Sequence, residues 1–316
     1  MSRLEIPTDR PPVYVSAGVN KEELQIVRTG LEETIALQID GAFSEPECYG
    51  NDESGRKNVF WWDEETQAAY NSVGLKNPGR KKATEYLPRA VKAAKEVGQL
   101  VVIQIVSLID EDPFAVLPGL AEWALEMGAD AVEIDGSCRN QDPAHPSLCE
   151  DIEQSYALFD SIRDHVGQSA ILGYKVSALP SATIRRFNTE KRLAVDFIDT
   201  INSVGNQPSP INPDTDKPAI EVNGGLAGQS GPAIAPLARR NLEWWLGFDE
   251  DLSIPDPSGS PFQLLSTGGV AGGEEVYYRT HHMGADLAGG TQAFCRTSDT
   301  RRLAQRWAQE YVNAAA

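Results

Sequence analysis

The sequence predicts an α/β protein, a single (β/α)₈ or TIM barrel spanning residues 1–316, and three observations carry that prediction. Eight short apolar segments alternate strictly with eight amphipathic ones, and such alternation means parallel pairing through right-handed crossovers. The seventh and eighth apolar segments run into glycine pairs, Ser266-Thr-Gly-Gly-Val270 and Gly289-Gly-Thr291, the place where barrels build a phosphate cradle. The first segment, by contrast, ends in Ala17-Gly-Val-Asn20 and lacks the G-x-G-x-x-G turn that a doubly wound dinucleotide-binding sheet, the competing architecture, would carry there.

Each element follows from its pattern. Val13-Tyr-Val-Ser-Ala-Gly18 reads as the first strand, Lys21 to Glu32 as a helix, and Thr34 to Asp40 as the second strand. Residues 41–80 form a long connection containing Phe60-Trp61-Trp62 and Asn71-Ser-Val-Gly-Leu-Lys-Asn-Pro-Gly79. Its length far exceeds the roughly 2–6 residues usual for a βα loop, so it reads as a folded, functional excursion. A helix from Lys81 to Val97 leads to the strand Leu100–Val106, whose nearly unbroken apolar run suits burial on both faces. Helices at 114–127, 151–165, 183–195, 233–246 and 274–283 then precede strands at 131–135, 170–176, 197–203, 262–269 and 286–291. A last helix covers 300–312, and a second polar excursion runs from Gly205 to Gly228.

Composition narrows the function classes. Forty-six acidic residues against 28 basic give a net charge of -18, which argues against nucleic acid or an anionic membrane as partner. No apolar run approaches the roughly 18 residues of a membrane span, and Met-Ser-Arg-Leu-Glu is no signal peptide, so the expected location is the cytoplasm. Cys48, Cys138, Cys149 and Cys295 show no C-x-x-C and no histidine at ligand spacing; no metal site is expected.

The chemistry concentrates at strand ends. In Ala131-Val-Glu-Ile-Asp-Gly-Ser-Cys-Arg-Asn140 a strand hands over to a polar loop carrying Asp135, Cys138 and Asn140. Lys175 lies in an otherwise apolar strand, where an unpaired ammonium would cost several kcal/mol, so it should point into the barrel mouth. Asn202 and Ser203 end the sixth strand and offer neutral hydrogen bonds. His145, His165, His281 and His282 have no triad-like setting, and Ser-His-Asp chemistry has no support.

These pieces, in this order and at these strand ends, resemble the dihydroorotate dehydrogenase family of FMN-dependent barrels, above all its soluble class 1. The resemblance runs from Val15-Ser-Ala-Gly18 to Gly290-Thr291 and includes Asn71–Gly79, Ser137–Asn140, Lys175, Ile201-Asn-Ser-Val-Gly-Asn206, Gly224-Gly-Leu-Ala-Gly228 and Ser266–Val270. It implies FMN as cofactor, with Ala17, Gly18, Gln38, Asp135, Lys175, Asn202, Gly224, Gly225, Gly268, Gly269, Gly290 and Thr291 around it. Lys175 would lie at the electron-rich edge of the flavin, and Cys138 would remove a carbon-bound proton while hydride passes to flavin N5. Asn71, Asp135, Asn140, Asn202 and Ser203 would hold the substrate ring and the Val73-Gly74-Leu75 backbone its carboxylate. A homodimer acting on a small molecule in pyrimidine metabolism is implied.

The sequence departs from the family at three points. Gln38 aligns with a lysine, Asp135 with an asparagine and Arg139 with the proline of the catalytic loop. Asp135 is acceptor-only where the asparagine both donates and accepts, while Arg139 would favour a Cys138 thiolate. The expected substrate is therefore dihydroorotate or a related small cyclic acid or pyrimidine. Two other readings stay open: a non-redox isomerase or lyase using the glycine loops for a phosphorylated substrate, and a flavin-binding barrel without turnover.

Overall fold

The computed structural model describes residues 3–20, 25, 26, 29, 32–138, 146–189, 193–247, 260–297 and 299–316. Most of the helix expected at Lys21 to Glu32, together with Arg139, Asn140 and His145, lies outside the described residues. In chain order the strands are β1 (Val13–Asn20), β2 (Leu37–Phe43), β3 (Phe60–Asp63), β4 (Ala68–Asn71), β5 (Leu100–Ile105), β6 (Ala131–Asp135) and β7 (Leu172–Val176). They continue as β8 (Phe197–Thr200), β9 (Val204–Pro208), β10 (Ile211–Asn212), β11 (Lys217–Pro218), β12 (Leu226–Ser230), β13 (Gln263–Ser266) and β14 (Leu287–Gly290). Eight of them close a parallel barrel in the order β1-β14-β13-β8-β7-β6-β5-β2. The chain is a (β/α)₈ barrel, and each of the eight expected strands is one of its staves.

The period-2 pleat sorts these strands into two cores. Val101, Ile103, Ile105, Val132, Ile134, Leu172, Tyr174 and Val176 join one cluster with helix residues such as Leu120, Trp123, Phe159 and Trp245. Residues of the opposite phase, Tyr14, Leu37, Ile39, Val102, Ala131, Phe197, Leu265 and Leu287, pack with Leu4 inside the barrel. Further along these inward rows the residues turn polar: Val102 gives way to Gln104, Ala131 to Glu133 and Asp135, Gly173 to Lys175, and Phe197 to Asp199. The acidic phase of β6 therefore faces the barrel interior, with Asp135 opposite Lys175 in register. Gly173 is required by this packing, since a Cβ there would lie 2.0 Å from the Phe197 ring.

The helices bury one stripe each. Leu87, Ala90, Val91 and Ala94 form the buried stripe of the helix Leu87–Glu96, at the i, i+3, i+4, i+7 spacing of an amphipathic helix. One helix was expected across 81–97, but two occur, Gly79–Ala83 and Leu87–Glu96. Pro88 explains the break, because proline is tolerated in a first helical turn and disrupts an interior. Asp112, Asp151 and Asp299 cap the helices that follow them.

The excursions 41–80 and 205–228 fold together, which the sequence does not announce. They build a four-stranded antiparallel sheet in the order β3-β4-β12-β9, with Asn71 paired to Gly228 across 157 residues of chain. Such short, mixed-polarity strands find their partners only in the folded chain, so local pattern does not reveal them. Trp61 packs in the small core of this sheet. Trp245 belongs to the helix-on-barrel core, stacked 6.2 Å from Phe187.

Candidate active site

Where the inward polar rows end, a cavity of about 240 Å³ opens between the barrel and the antiparallel sheet. Fifteen of the residues singled out from the sequence line it: Ala17, Gly18, Asn71, Val73, Gly74, Leu75, Asp135, Cys138, Lys175, Asn202, Ser203, Gly268, Gly269, Gly290 and Thr291. Three others, Gln38, Gly224 and Gly225, do not line it. Gln38 falls between the inward Leu37 and Ile39 on the other phase of β2; its Nε2 donates to Asp40 Oδ2 at 3.2 Å, and Ala42 is the β2 residue in the cavity wall. Gly224 and Gly225 sit in a short turn before β12, Gly225 against Pro218, whereas Ser230 and Gly231 at the other end of that strand reach the cavity. Asn140, the remaining candidate, lies outside the described residues.

Lys175 is held in a buried ionic cluster. Its Nζ donates to Ser16 Oγ at 2.7 Å and lies 3.2 Å from Asp199 Oδ2, while the Tyr14 hydroxyl donates to Asp199 Oδ1 at 2.7 Å. Burial pulls the Lys175 pKa down, but Asp199, Glu133 and Asp135 outweigh it and hold the ammonium above its ordinary value. Burial, then the Asp199 charge, push the Glu133 carboxyl well above the usual carboxylate range. Its Oε1 accepts from Gln104 Nε2 at 2.6 Å, and its buried Oε2 has no partner among the described residues. A desolvated carboxyl beside a second carboxylate favours its protonated form.

The Thr267–Val270 turn presents a donor arc. Arg279, fully buried, donates to Ser266 Oγ at 3.1 Å, Thr267 O at 2.9 Å and Gly268 O at 2.8 Å. In a planar trans peptide the N–H points opposite to the C=O. Carbonyls drawn back to Arg279 thus turn the Gly268 and Gly269 amides the other way, and both glycines line the cavity while Arg279 does not. Gly268 and Gly269 take φ of +79° and +83°, and a Cβ at Gly269 would lie 2.6 Å from the Ala235 backbone. Gln292, which follows Thr291 in the chain, also lines the cavity, and its buried Nε2 has no acceptor among the described residues. Glu275 neutralises the buried guanidinium, accepting from Arg279 Nε at 2.7 Å and pairing with Arg239. Although burial raises its pKa, these two arginines bring it below the ordinary glutamate value.

The third wall is a neutral relay. Ser137 donates to Asp135 Oδ1 from its N–H at 3.0 Å and its hydroxyl at 2.6 Å. Asn202 Nδ2 donates to that hydroxyl at 2.7 Å, and Asn202 Oδ1 accepts from Ser203 N at 2.8 Å. Half-buried Cys138 follows directly in the wall. Sequence reasoning missed Gln104, Ser137, Gln292, Cys295 and the supporting Arg279. Gln104 carried a signal, as one polar residue in an apolar strand; Arg279, in the π-helical stretch Tyr278–Met283, carried none. His165 lies on a surface helix 3.2 Å from Glu122, and His281 and His282 pack on Tyr277, away from the cavity.

Among the described residues no group of three or more histidine, cysteine or acidic side chains is arranged to hold a metal, and no helix is long and apolar enough to cross a membrane. The chain matches no protein-family model and no curated protein.

Proposed function

We propose that this barrel is an FMN-dependent oxidoreductase of the dihydroorotate dehydrogenase type, acting on a C–C bond next to a carbonyl in a small cyclic acid or pyrimidine. The observation that carries the reading is one cavity wall uniting an anion-ready amide arc, a charged buried lysine and a thiol.

The residues present fit FMN. The Gly268 and Gly269 amides, with Gln292 Nε2, which has no acceptor among the described residues, are suited to a phosphate. Lys175, kept charged by Asp199, is suited to an electron-rich ring edge. When bound, FMN would supply a two-electron acceptor for the hydride. The chain's own part is acid–base chemistry and positioning: Cys138 takes the proton from the adjacent substrate carbon, Asn202 and Ser137 fix the neighbouring carboxylate, and the antiparallel sheet keeps water from the mouth. A purely non-redox phosphate barrel would use the same arc but leaves Lys175 and Cys138 without a task.

The visible spectrum of the purified protein, followed by anaerobic addition of dihydroorotate, tests this. A flavin spectrum that bleaches supports the whole reading; one that persists with every dihydropyrimidine and cyclic acid tried favours a barrel without turnover. No uptake of added FMN overturns the reading in favour of a phosphorylated substrate. In Cys138→Ala, flavin should remain bound while its reduction slows by roughly 10²–10⁴-fold, the usual contribution of a positioned base.

A further inference from the structure

Two hydrogen-bonding features of the cavity wall remain unspent, and they are of opposite character. The first is the backbone at Val73-Gly74-Leu75. The carbonyls of the three peptides that carry these N–H groups are all engaged: Asn51 Nδ2 donates to Ser72 O at 3.0 Å, Asn51 N to Val73 O at 3.0 Å, and Cys48 Sγ to Gly74 O at 3.4 Å. Neither Asn51 nor Cys48 lines the cavity, whereas Val73, Gly74 and Leu75 do. By the same peptide geometry, the three N–H groups are turned from these partners, and none has an acceptor among the described residues. Gly74 and Leu75 hold φ of +74° and +60°, a curl in which successive amides converge. A left-handed conformation is unfavourable for a leucine, so the surrounding bonds impose it.

The second feature is Asp135. Ser137 occupies Oδ1 twice, and Asn202 fixes the direction of the serine hydroxyl. The carboxylate is thereby locked, and its Oδ2 meets no donor among the described residues although Asp135 lines the cavity. Lys175 does not serve it, being committed to Asp199 and Ser16. An asparagine here would offer a donor and an acceptor to a ring edge; Asp135 offers an acceptor alone. A ring carbonyl placed against Oδ2 would bring two acceptors together, while an N–H would meet a charged one.

We propose that the cavity selects a small ring acid with an anionic group for the Val73–Leu75 amides and an amidine-type edge, N–H beside an amino group, for Asp135, in preference to an imide edge. The inference rests on the flavin oxidoreductase reading only for the reaction; the recognition it describes is a property of the cavity itself.

Isothermal titration of the FMN-supplied protein tests it with orotate, with the two orotate analogues in which one ring carbonyl is replaced by an amine, and with isocytosine and cytosine, the same two amino rings without the carboxylate. The 2-amino analogue, whose ring N–H stands beside the amino group, should bind about tenfold or more tightly than orotate, and isocytosine should bind more weakly than that analogue. Asp135→Asn should reverse the order of orotate and the amino analogue. Orotate binding best to the unaltered protein, or no ring acid binding at all, overturns the proposal, and the unaltered protein alone decides this if the variant does not fold. Calorimetry needs no flavin signal, so failure of the cavity to take up FMN, seen in the spectrum, is scored separately from the ligand order.

Discussion

The cavity wall holds two donor arcs made of the same backbone chemistry and backed in different ways. At Gly268-Gly269 the carbonyls are drawn back by a fully buried guanidinium; at Val73-Gly74-Leu75 they are drawn back by an asparagine and a thiol, both neutral. Backbone amides orient an anion equally well in both places, but only the first arc has an ionic cluster behind it, the two guanidiniums of Arg279 and Arg239 sharing the one Glu275 carboxylate, and a net charge in a low-dielectric interior acts much more strongly than one in water. The difference teaches that donor geometry and field are separate design variables. The first arc suits a doubly charged phosphate, the second a singly charged carboxylate.

The hardest blow to this contrast is Arg279→Met. It removes the charge and the hydrogen bonds to Ser266, Thr267 and Gly268, and leaves the half-buried Glu275 with Arg239 alone. Breaking one side of a buried ion pair costs about 3–5 kcal/mol, which urea unfolding would register. The sharper readout is a pair of dissociation constants: FMN should bind at least about tenfold more weakly, whereas riboflavin, which has no phosphate, should bind unchanged. Equal losses for both flavins would mean Arg279 supports the barrel and not the arc.

Asn51→Ala makes the complementary cut. It removes the side-chain donor to Ser72 O and Ser72 Oγ and keeps the backbone bond to Val73 O, so the expected loss is about 1 kcal/mol or somewhat more, one ordinary hydrogen bond and one longer one. A ring acid should bind about fivefold more weakly while FMN affinity holds. If FMN affinity falls with it, the two arcs are mechanically coupled and do not act as separate sites.

The two arcs also differ in how far they could be read from the sequence. Gly268-Gly269 and Gly290-Thr291 stand at the ends of barrel strands that announce themselves by apolar runs and by strict alternation with helices, so counting strands places them. Lys175 and Asp135 are legible for the same reason, being polar residues on the ends of apolar strands. The backing of both arcs was not legible. Arg279 lies in the π-helical stretch Tyr278–Met283, which no local pattern announces, and its buried partners, Ser266 to Gly268, are 11–13 residues earlier. Asn51 reaches Ser72 only because the excursion folds into a sheet with strands about 150 residues away. Gln38 lies apart from the cavity lining for a different reason: it alternates with the inward Leu37 and Ile39, and a one-residue change of phase moves a side chain to the other face of a strand.

Glu133→Gln touches neither arc and should have the smallest effect on either ligand, yet it reports the field between them. Glu133 is buried with Lys175, Asp199 and Asp135 around it, and its carboxyl is raised well above the ordinary 4.5. The unfolded chain releases this proton near the ordinary value while the folded protein retains it. Folded protein then binds more protons than unfolded, so stability falls as pH rises above about 4.5 through the raised value, by at most about 1.4 kcal/mol per pH unit for one proton. Glutamine keeps an oxygen for Gln104 Nε2 and removes the titration. The variant's urea midpoint should therefore decline less than that of the unaltered protein between about pH 5 and 8. Parallel profiles would mean that Glu133 ionises in the folded barrel, that Lys175 faces its charge as well as those of Asp199 and Asp135, and that the Asp135 end of the cavity is correspondingly more negative.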